Sequence, residues 1–215
     1  MNEPLHIAPR VLDAARMLAD RLGIAPSGRT VVAVGGESGS GKSTTALALH
    51  TALSERGLRV SVLHLDGYFH LPPRANHEAR IQSLSWVGLK EVNMALLQSH
   101  VDAFHAGAAE VEVPVVDYVQ SSIELHTTDI SDSEVLIVEG TYALYLDRID
   151  HGVFMPQTYR ETRSVRQART REVYDPFVEH VLDIEHQLVQ KSAPRAQFRI
   201  TSNYEVATVN ANSLK

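Results

Sequence analysis

The stretch Val31–Thr45, VVAVGGESGSGKSTT, decides the fold that the rest of the chain must complete. Its first four residues form an apolar run typical of a buried strand, and its last residues begin a helical pattern. Between them, Gly35–Gly41 contains four glycines and two serines. The pattern G-x-x-x-x-G-K-[ST] is filled by Gly36, Gly41, Lys42 and Ser43. A strand, a glycine-rich loop and a helix in this order predict a phosphate-binding loop.

The residue types in this loop suit a nucleoside triphosphate. Glycines let the backbone turn so that successive N–H groups face one point, and the following helix adds its positive N-terminal dipole there. Lys42 is predicted to reach the β- and γ-phosphates, and the Ser43 hydroxyl to hold Mg²⁺. ATP and Mg²⁺ are therefore the expected cofactors. The residues expected to hold the nucleotide are Gly36, Glu37, Ser38, Gly39, Ser40, Gly41, Lys42, Ser43 and Thr44.

Composition and charge indicate one globular domain and argue against a nucleic-acid-binding or membrane protein. The chain has 215 residues, 44 % hydrophobic and 21 % charged, which is ordinary for one globular domain. Its net charge of −6 gives no basic surface for nucleic acid. No apolar run approaches the ~18 residues of a membrane span, and the first residues lack the pattern of a signal peptide. We therefore expect a cytoplasmic protein with no nucleic-acid or membrane partner.

Cysteine and histidine usage limits the metal chemistry. The chain has no cysteine, which excludes disulfides and cysteine-ligated metals. Its 11 histidines are scattered, without a spacing typical of metal ligands. Magnesium carried with the nucleotide is therefore the only metal we expect. Homo-oligomerisation is left open by the sequence.

Two further apolar runs are predicted strands, and an acidic residue follows each. Val60–Leu65 precedes Asp66, and Val135–Val138 precedes Glu139. In an α/β sheet, ligands bind at the edge formed by the C-terminal ends of the strands. Asp66 there can accept a proton from a substrate hydroxyl, contact the magnesium shell, or simply cap the turn before Gly67. Glu139 is either the group that holds magnesium through water or a strand-end glutamate in solvent.

Periodicity predicts the elements around this core. The expected helices are Pro9–Leu22, Ser43–Arg56, Val92–Phe104 and Phe177–Gln190. The further expected strands are Glu110–Val113, Ile123–Leu125, Gly152–Met155 and Gln197–Ile200. Residues 70–128 are the least regular part, and we interpret about residues 67–128 as a substrate-recognition insertion. Trp86, the only tryptophan, either lines that site or is a half-buried anchor.

An arginine-rich segment follows at Tyr159–Arg171. It carries Arg160, Arg163, Arg166, Arg169 and Arg171. A run of this kind is either a solvated basic face or, in a phosphate-binding protein, a lid that closes over the phosphates. We place the lid at about residues 159–175.

Together these motifs resemble the uridine kinase branch of the P-loop kinases, a group that includes phosphoribulokinases and pantothenate kinases. The resemblance rests on GGESGSGKSTT, LDGYF, VLIVEG, TRSVRQAR, IEHQLV and AQFRI within residues 30–205. It implies a three-layer P-loop NTPase fold: a parallel sheet of about five strands flanked by helices, with a substrate-binding insertion and an arginine-rich lid. It also implies that Asp66 is the base that deprotonates the acceptor, that Glu139 is associated with magnesium, and that the lid arginines are Arg163, Arg166 and Arg169.

The substrate segments depart from the uridine kinase pattern. Uridine kinases usually carry an Asp-His-Pro-Asp-like stretch whose first acid holds the ribose, whereas this chain has residues 85–88, SWVG, without an acid. They also carry a tyrosine and a histidine that contact the pyrimidine, at positions where this chain has Val116 and Ser121. The residues predicted to bind the substrate are Asp66, Tyr68, Trp86, Asp117 and Tyr118.

The expected function is ATP- and Mg²⁺-dependent transfer of the γ-phosphoryl group to a hydroxyl of a small metabolite, as in uridine kinases. One alternative is a kinase for a sugar, a sugar phosphate or a pantothenate-like alcohol. Another is a regulatory P-loop protein that binds a nucleotide without transferring its phosphate, although the N-K-x-D signature of switch GTPases is absent. The expected catalytic residues are Lys42, Asp66, Arg163, Arg166 and Arg169.

Overall fold

A computed structural model describes residues 7–26, 28–168 and 176–209. The α-helices in these ranges are α1 (Pro9–Leu22), α2 (Lys42–Ser54), α3 (Pro73–Gln82), α4 (Met94–Ala106), α5 (Arg163–Ala168) and α6 (Pro176–Ser192). The strands are β1 (Thr30–Gly36), β2 (Val60–His64), β3 (Glu110–Asp117), β4 (Ser122–Asp129), β5 (Val135–Gly140), β6 (His151–Met155), β7 (Phe198–Ile200) and β8 (Val206–Thr208).

The main sheet has the strand order β2-β5-β1-β6-β7-β8. All neighbouring strands in it are parallel except β7 and β8, which pair antiparallel. The central strands β1 and β5 are buried on both faces, which explains their continuous apolar sequences. The predicted α/β class with a mostly parallel sheet is confirmed. The sequence analysis had not predicted β8, because this edge strand has only three residues and two of them are exposed.

Helices cover both faces of the sheet and make the three layers. Alternate residues of β1 point to opposite faces. Val32 and Val34 pack in the core that contains α1 and α2, while Val31 and Ala33 pack in the core that contains α4. None of the described helices is long and apolar enough to cross a membrane.

The region between β2 and β5 is more regular than its sequence indicates. Helix α3 was not predicted, because its sequence PRANHEARIQ has no apolar stripe and only Asn76 is buried. Strands β3 and β4 form a separate antiparallel hairpin of eight residues a side, longer than predicted. Much of the added length is exposed, so no alternation of apolar residues marked it.

The register of the sheet brings three strand ends to one edge. Glu139 near the end of β5 is level with Val34 of β1 on one side and with His64 of β2 on the other. The glycine-rich loop follows β1, and Asp66 lies in a short turn of 3₁₀ helix directly after β2. The loop, Glu139 and Asp66 therefore share the C-terminal edge of adjacent strands.

Candidate active site

The loop between β1 and α2 has the geometry that its glycines predict. Gly39 and Gly41 adopt positive φ angles of 79° and 92°. These angles lie in the left-handed region, which residues other than glycine rarely adopt. The Lys42 ammonium is nearly buried and donates a hydrogen bond of 2.9 Å to the carbonyl of Glu37. Ser40 Oγ is buried and has no hydrogen-bond partner among the described residues. A curled backbone with an enclosed lysine and an orphaned hydroxyl fits a loop that receives phosphate groups.

A compact polar group joins the first turn of α2 to the ends of β5 and β2. The Ser43 hydroxyl donates to Glu139 Oε1 at 3.1 Å, and His64 Nδ1 donates to the same oxygen at 2.8 Å. Burial alone would raise the pKa of the Glu139 carboxyl, but the hydrogen bond from His64 and the charge of Lys42 outweigh burial and hold that pKa below its ordinary value. Glu139 is therefore ionised at neutral pH.

This polar group contains oxygen ligands of the kind that Mg²⁺ prefers. Magnesium binds hard oxygen ligands, commonly one or two protein oxygens beside nucleotide phosphates and water. The Ser43 hydroxyl and the Glu139 carboxylate supply such oxygens next to the phosphate-binding loop. The residues present thus fit a magnesium-nucleotide complex.

Asp66 lies beneath the tip of the β3–β4 hairpin. The Tyr118 hydroxyl donates a hydrogen bond of 2.5 Å to Asp66 Oδ2. The close approach depends on Gly67, since a Cβ atom at that position would lie 1.9 Å from the carbonyl oxygen of Pro114 in β3. The structure thus brings together Asp66 and Tyr118, two residues of the predicted substrate-binding set that lie 52 positions apart in the sequence.

Three other predicted substrate residues are held by neighbouring protein groups. Asp117 accepts the backbone N–H groups of residues 119 and 120 and so caps the hairpin turn. Tyr68 is 1 % exposed, and its hydroxyl lies 2.8 Å from His100 Nδ1. Trp86 is half-buried and donates its indole N–H to Asn76 at 2.8 Å. These contacts give Asp117, Tyr68 and Trp86 partners within the protein.

Sequence reasoning missed a buried ionic network beside the turn that carries Asp66. Glu91 is fully buried and accepts hydrogen bonds from the side chains of Asn76 and Arg80 and from the backbone N–H of Gly88. Arg80 also donates to Glu185 of α6 at 3.0 Å. The local signal was weak, because Glu91 looks like any loop glutamate, and the Arg80–Glu185 contact joins residues 105 positions apart.

The described part of the predicted lid segment, residues 159–168, contacts the phosphate-binding loop. The Thr162 hydroxyl donates to the carbonyl of Ser38 at 2.8 Å. A Cβ atom at Gly39 would lie 2.9 Å from Arg166 Cγ, so only glycine allows the approach. Arg166 is buried and donates to the carbonyl of Tyr159, and Arg163 lies 3.9 Å from Glu179 of α6. The predicted lid residue Arg169 lies outside the described residues.

The parallel sheet, the phosphate-binding loop and the carboxylate at the neighbouring strand end define a P-loop kinase architecture. Residues 31–155, more than half of the chain, match the sequence profile of the phosphoribulokinase / uridine kinase family. The chain therefore belongs to the phosphoribulokinase / uridine kinase family, and the resemblance found in the sequence is confirmed.

Individual relatives extend this comparison. The chain is 28 % identical over 176 residues to the bifunctional alpha-galactosidase/sucrose kinase AgaSK of Mediterraneibacter gnavus, covering 75 % of this chain and 19 % of that protein. It is 32 % identical over 119 residues to a uridine kinase of Mycoplasma pneumoniae, covering 55 % of this chain and 54 % of that kinase. The chain thus spans about half the length, or less, of these curated relatives.

A solved structure shares the fold. The structure of a possible uridine kinase from Bacillus stearothermophilus superimposes with a TM-score of 0.66 and 22 % identity, covering 87 % of this chain and 97 % of that one. At this identity the likeness concerns the fold, and the site must be interpreted from this chain's own residues.

Proposed function

We propose that this protein is an ATP- and Mg²⁺-dependent kinase that transfers the γ-phosphoryl group to a hydroxyl of a small metabolite. The observation that carries the proposal is the shared sheet edge. There, the Ser43–Glu139 pair lies beside the phosphate-binding loop, and Asp66 follows the next strand. A phosphoryl donor, a magnesium site and a carboxylate base are the parts that phosphoryl transfer to an alcohol requires.

The nucleotide side supplies binding and charge stabilisation. Backbone N–H groups of residues 37–43 and the Lys42 ammonium hold the phosphates, so Lys42 exchanges its bond to the Glu37 carbonyl for phosphate oxygens. Ser43 and Glu139 would hold Mg²⁺, which would supply positive charge beside the nucleotide phosphates. Arg163 and Arg166 of the predicted lid exchange their contacts with Glu179 and with the Tyr159 carbonyl for the transferred group, and they stabilise the charge that develops on it.

Asp66 serves the acceptor side as general base. It accepts the proton of the attacking hydroxyl while the acceptor oxygen bonds to the γ-phosphorus and the bond to the leaving ADP oxygen breaks. The Tyr118 hydroxyl, which donates to Asp66 Oδ2, orients the carboxylate and leaves Oδ1 for the incoming hydroxyl. Tyr118 also forms a wall of the acceptor site.

A sugar or a related polyhydroxy compound is the acceptor class that we favour over a pyrimidine nucleoside. Val116 lies in the hairpin ladder opposite Ile123 and has no polar side-chain atom for a base. The Ser121 hydroxyl accepts the backbone N–H of Arg74 at 3.0 Å. The match to AgaSK, which is named as a sucrose kinase, supports a sugar, and the match to uridine kinases supports the nucleoside alternative.

ADP release from the purified protein tests the proposal. ATP and Mg²⁺ are incubated with nucleosides, free sugars, sugar phosphates and pantothenate-like alcohols, each in turn. Lys42→Ala protein, prepared in parallel, corrects for contaminating kinases. ADP release that depends on one acceptor class supports the proposal and identifies the class. Nucleotide binding without acceptor-dependent ADP release would favour the regulatory alternative.

A further inference from the structure

The second residue of the G-x-x-x-x-G-K-[ST] pattern, Glu37, has its side chain turned into the protein. Glu37 is 2 % exposed, and its carboxylate accepts hydrogen bonds from two other parts of the chain. Oε2 accepts the backbone N–H of Tyr159 at 2.6 Å. Oε1 accepts from His186 Nδ1 at 2.7 Å and from Gln190 Nε2 at 3.2 Å. Since a carboxylate only accepts, His186 must carry its proton on Nδ1 in this arrangement.

These contacts link the loop to the start of the lid. Tyr159 begins the segment that carries Arg163 and Arg166, and Thr162 in the same segment donates to the carbonyl of Ser38. Arg166 in turn donates to the carbonyl of Tyr159, whose N–H is bound to Glu37. The position of the lid relative to the loop therefore depends on a side chain of the loop itself.

The same contacts link the loop to α6. Two adjacent residues of this helix bind different parts of the chain. Glu185 accepts a hydrogen bond from Arg80, whereas His186 donates one to Glu37 in the loop. A hydrogen bond to a buried charge is stronger than a neutral one, and a buried carboxylate that loses its donors is costly. The loop, the lid and α6 are thus held to one another through Glu37.

We propose that Glu37 and His186 are positioning residues for nucleotide binding. This inference rests on the proposed function. Their contact holds the loop and the lid in the arrangement that binds the phosphates. It also turns the Glu37 charge away from the phosphate groups, which it would otherwise repel. His186 touches neither the nucleotide nor the acceptor in this account, and it acts through Glu37.

Two substitutions of His186 separate positioning from stability. His186→Leu removes the donor, whereas His186→Asn keeps a side-chain N–H near the place of Nδ1. His180→Leu is the matched control, because His180 is an exposed residue of the same helix. The ligand used is a non-hydrolysable ATP analogue with Mg²⁺, and its dissociation constant is measured by calorimetry. We expect an increase of about tenfold for His186→Leu, at most about threefold for His186→Asn, and none for His180→Leu.

Hydrogen exchange of the Tyr159 amide gives a readout that needs no ligand. We expect this amide to exchange at least about fivefold faster in His186→Leu, with the amides of β1 and β5 unchanged. If His186→Leu only lowers the unfolding temperature, while nucleotide affinity and Tyr159 exchange match the wild type, the inference is wrong. Gln190→Leu provides the same comparison, with a smaller effect, if His186→Leu does not fold. A wild-type protein that binds no analogue would overturn the proposed function and this inference together. A wild-type protein that binds the analogue, with a His186→Leu variant that binds it equally well, would overturn this inference alone.

Discussion

The two sides of the candidate active site are built from different kinds of contact. On the nucleotide side, the loop, Lys42 and Ser43 come from one continuous stretch, and strand register adds Glu139. On the acceptor side, Asp66 meets Tyr118 from a hairpin 52 residues away, and Arg80 meets Glu185 over 105 residues. The nucleotide side is therefore centred on a local backbone motif, which long-range contacts such as Ser43–Glu139 and Glu37–His186 complete. The acceptor side has no such motif and consists of long-range side-chain pairs. The first suits a ligand shared by many kinases, and the second can vary with the acceptor.

The largest expected effect is on the nucleotide side. Lys42→Ala removes the ammonium assigned to the β- and γ-phosphates, and we expect turnover to fall by about 10³-fold or more, because phosphoryl transfer depends mainly on positioning and charge stabilisation. Steady-state ADP release by protein with a normal circular dichroism spectrum measures the loss. Near-native turnover would remove the role assigned to the loop.

The next effect is on the acceptor side. Asp66→Asn should lower acceptor-dependent turnover by about 10²-fold or more, because general-base catalysis contributes at least this much, and should leave ATP affinity nearly unchanged. Tyr118→Phe is the matched variant, because it removes only the hydroxyl that orients Asp66, and we expect a smaller loss. Full activity of Asp66→Asn would reduce Asp66 to the turn cap that the sequence also allowed.

Acceptor choice tests whether the side-chain pairs on the acceptor side set specificity. Each missing hydrogen bond to a base or ribose costs roughly 0.5–1.5 kcal/mol. We therefore expect uridine to be used with a kcat/KM well below the ~10⁴ M⁻¹s⁻¹ of efficient enzymes, and another hydroxyl compound to be preferred at least about tenfold. Initial rates over the acceptor panel measure the ratio. Efficient phosphorylation of uridine would show that other residues, such as Tyr118 or Trp86, recognise the base.

Glu139→Gln tests whether Glu139 and Asp66 have different roles. The amide keeps the shape of the side chain but loses the charge that favours Mg²⁺. We expect the magnesium concentration for half-maximal activity to rise by roughly tenfold, which corresponds to about 1.4 kcal/mol of binding free energy. Magnesium titrations of wild type and variant compare the two. An unchanged magnesium requirement, with activity lost at all concentrations, would contradict the assignment of Glu139 to the metal.

The smallest expected effect concerns the core beneath Asp66, where His100 lies against Tyr68. Burial lowers the pKa of His100 in the folded protein. As pH falls below about 6.5, the unfolded chain takes up the proton first, so the free energy of unfolding should decrease until the folded-state pKa is passed. His100→Gln should reduce this slope, by at most about 1.4 kcal/mol per pH unit. Urea unfolding between pH 5 and 7.5 measures both slopes, and identical slopes would contradict the assignment.

Most of the fold was accessible from sequence where apolar patterns are strong. Helix α1 was predicted at its observed bounds, and β1, β2 and β5 within one or two residues, because buried strands and amphipathic helices leave a clear periodicity. Helix α3 was missed because its polar sequence has no such stripe.

The candidate site was accessible only in part. A motif in adjacent residues identified the loop, and position after an apolar run identified Asp66 and Glu139. The contacts of Glu37 with His186 and of Arg80 with Glu185 could not be predicted, since each joins residues more than 100 positions apart without any local pattern. Tyr68 shows a different limit, because its burial against His100 could not be predicted from an aromatic residue beside the candidate base.

The stoichiometry of the reaction decides whether the protein transfers phosphate to an acceptor. Wild-type protein is incubated with ATP, Mg²⁺ and the preferred acceptor, and both ADP and phosphorylated acceptor are measured by chromatography and mass spectrometry. We expect one ADP for each phosphorylated acceptor, little ADP without the acceptor, and loss of both products in Asp66→Asn. ADP formed at the same rate with and without every acceptor, or a phosphorylated product that persists at full rate in Asp66→Asn, would contradict the proposed function.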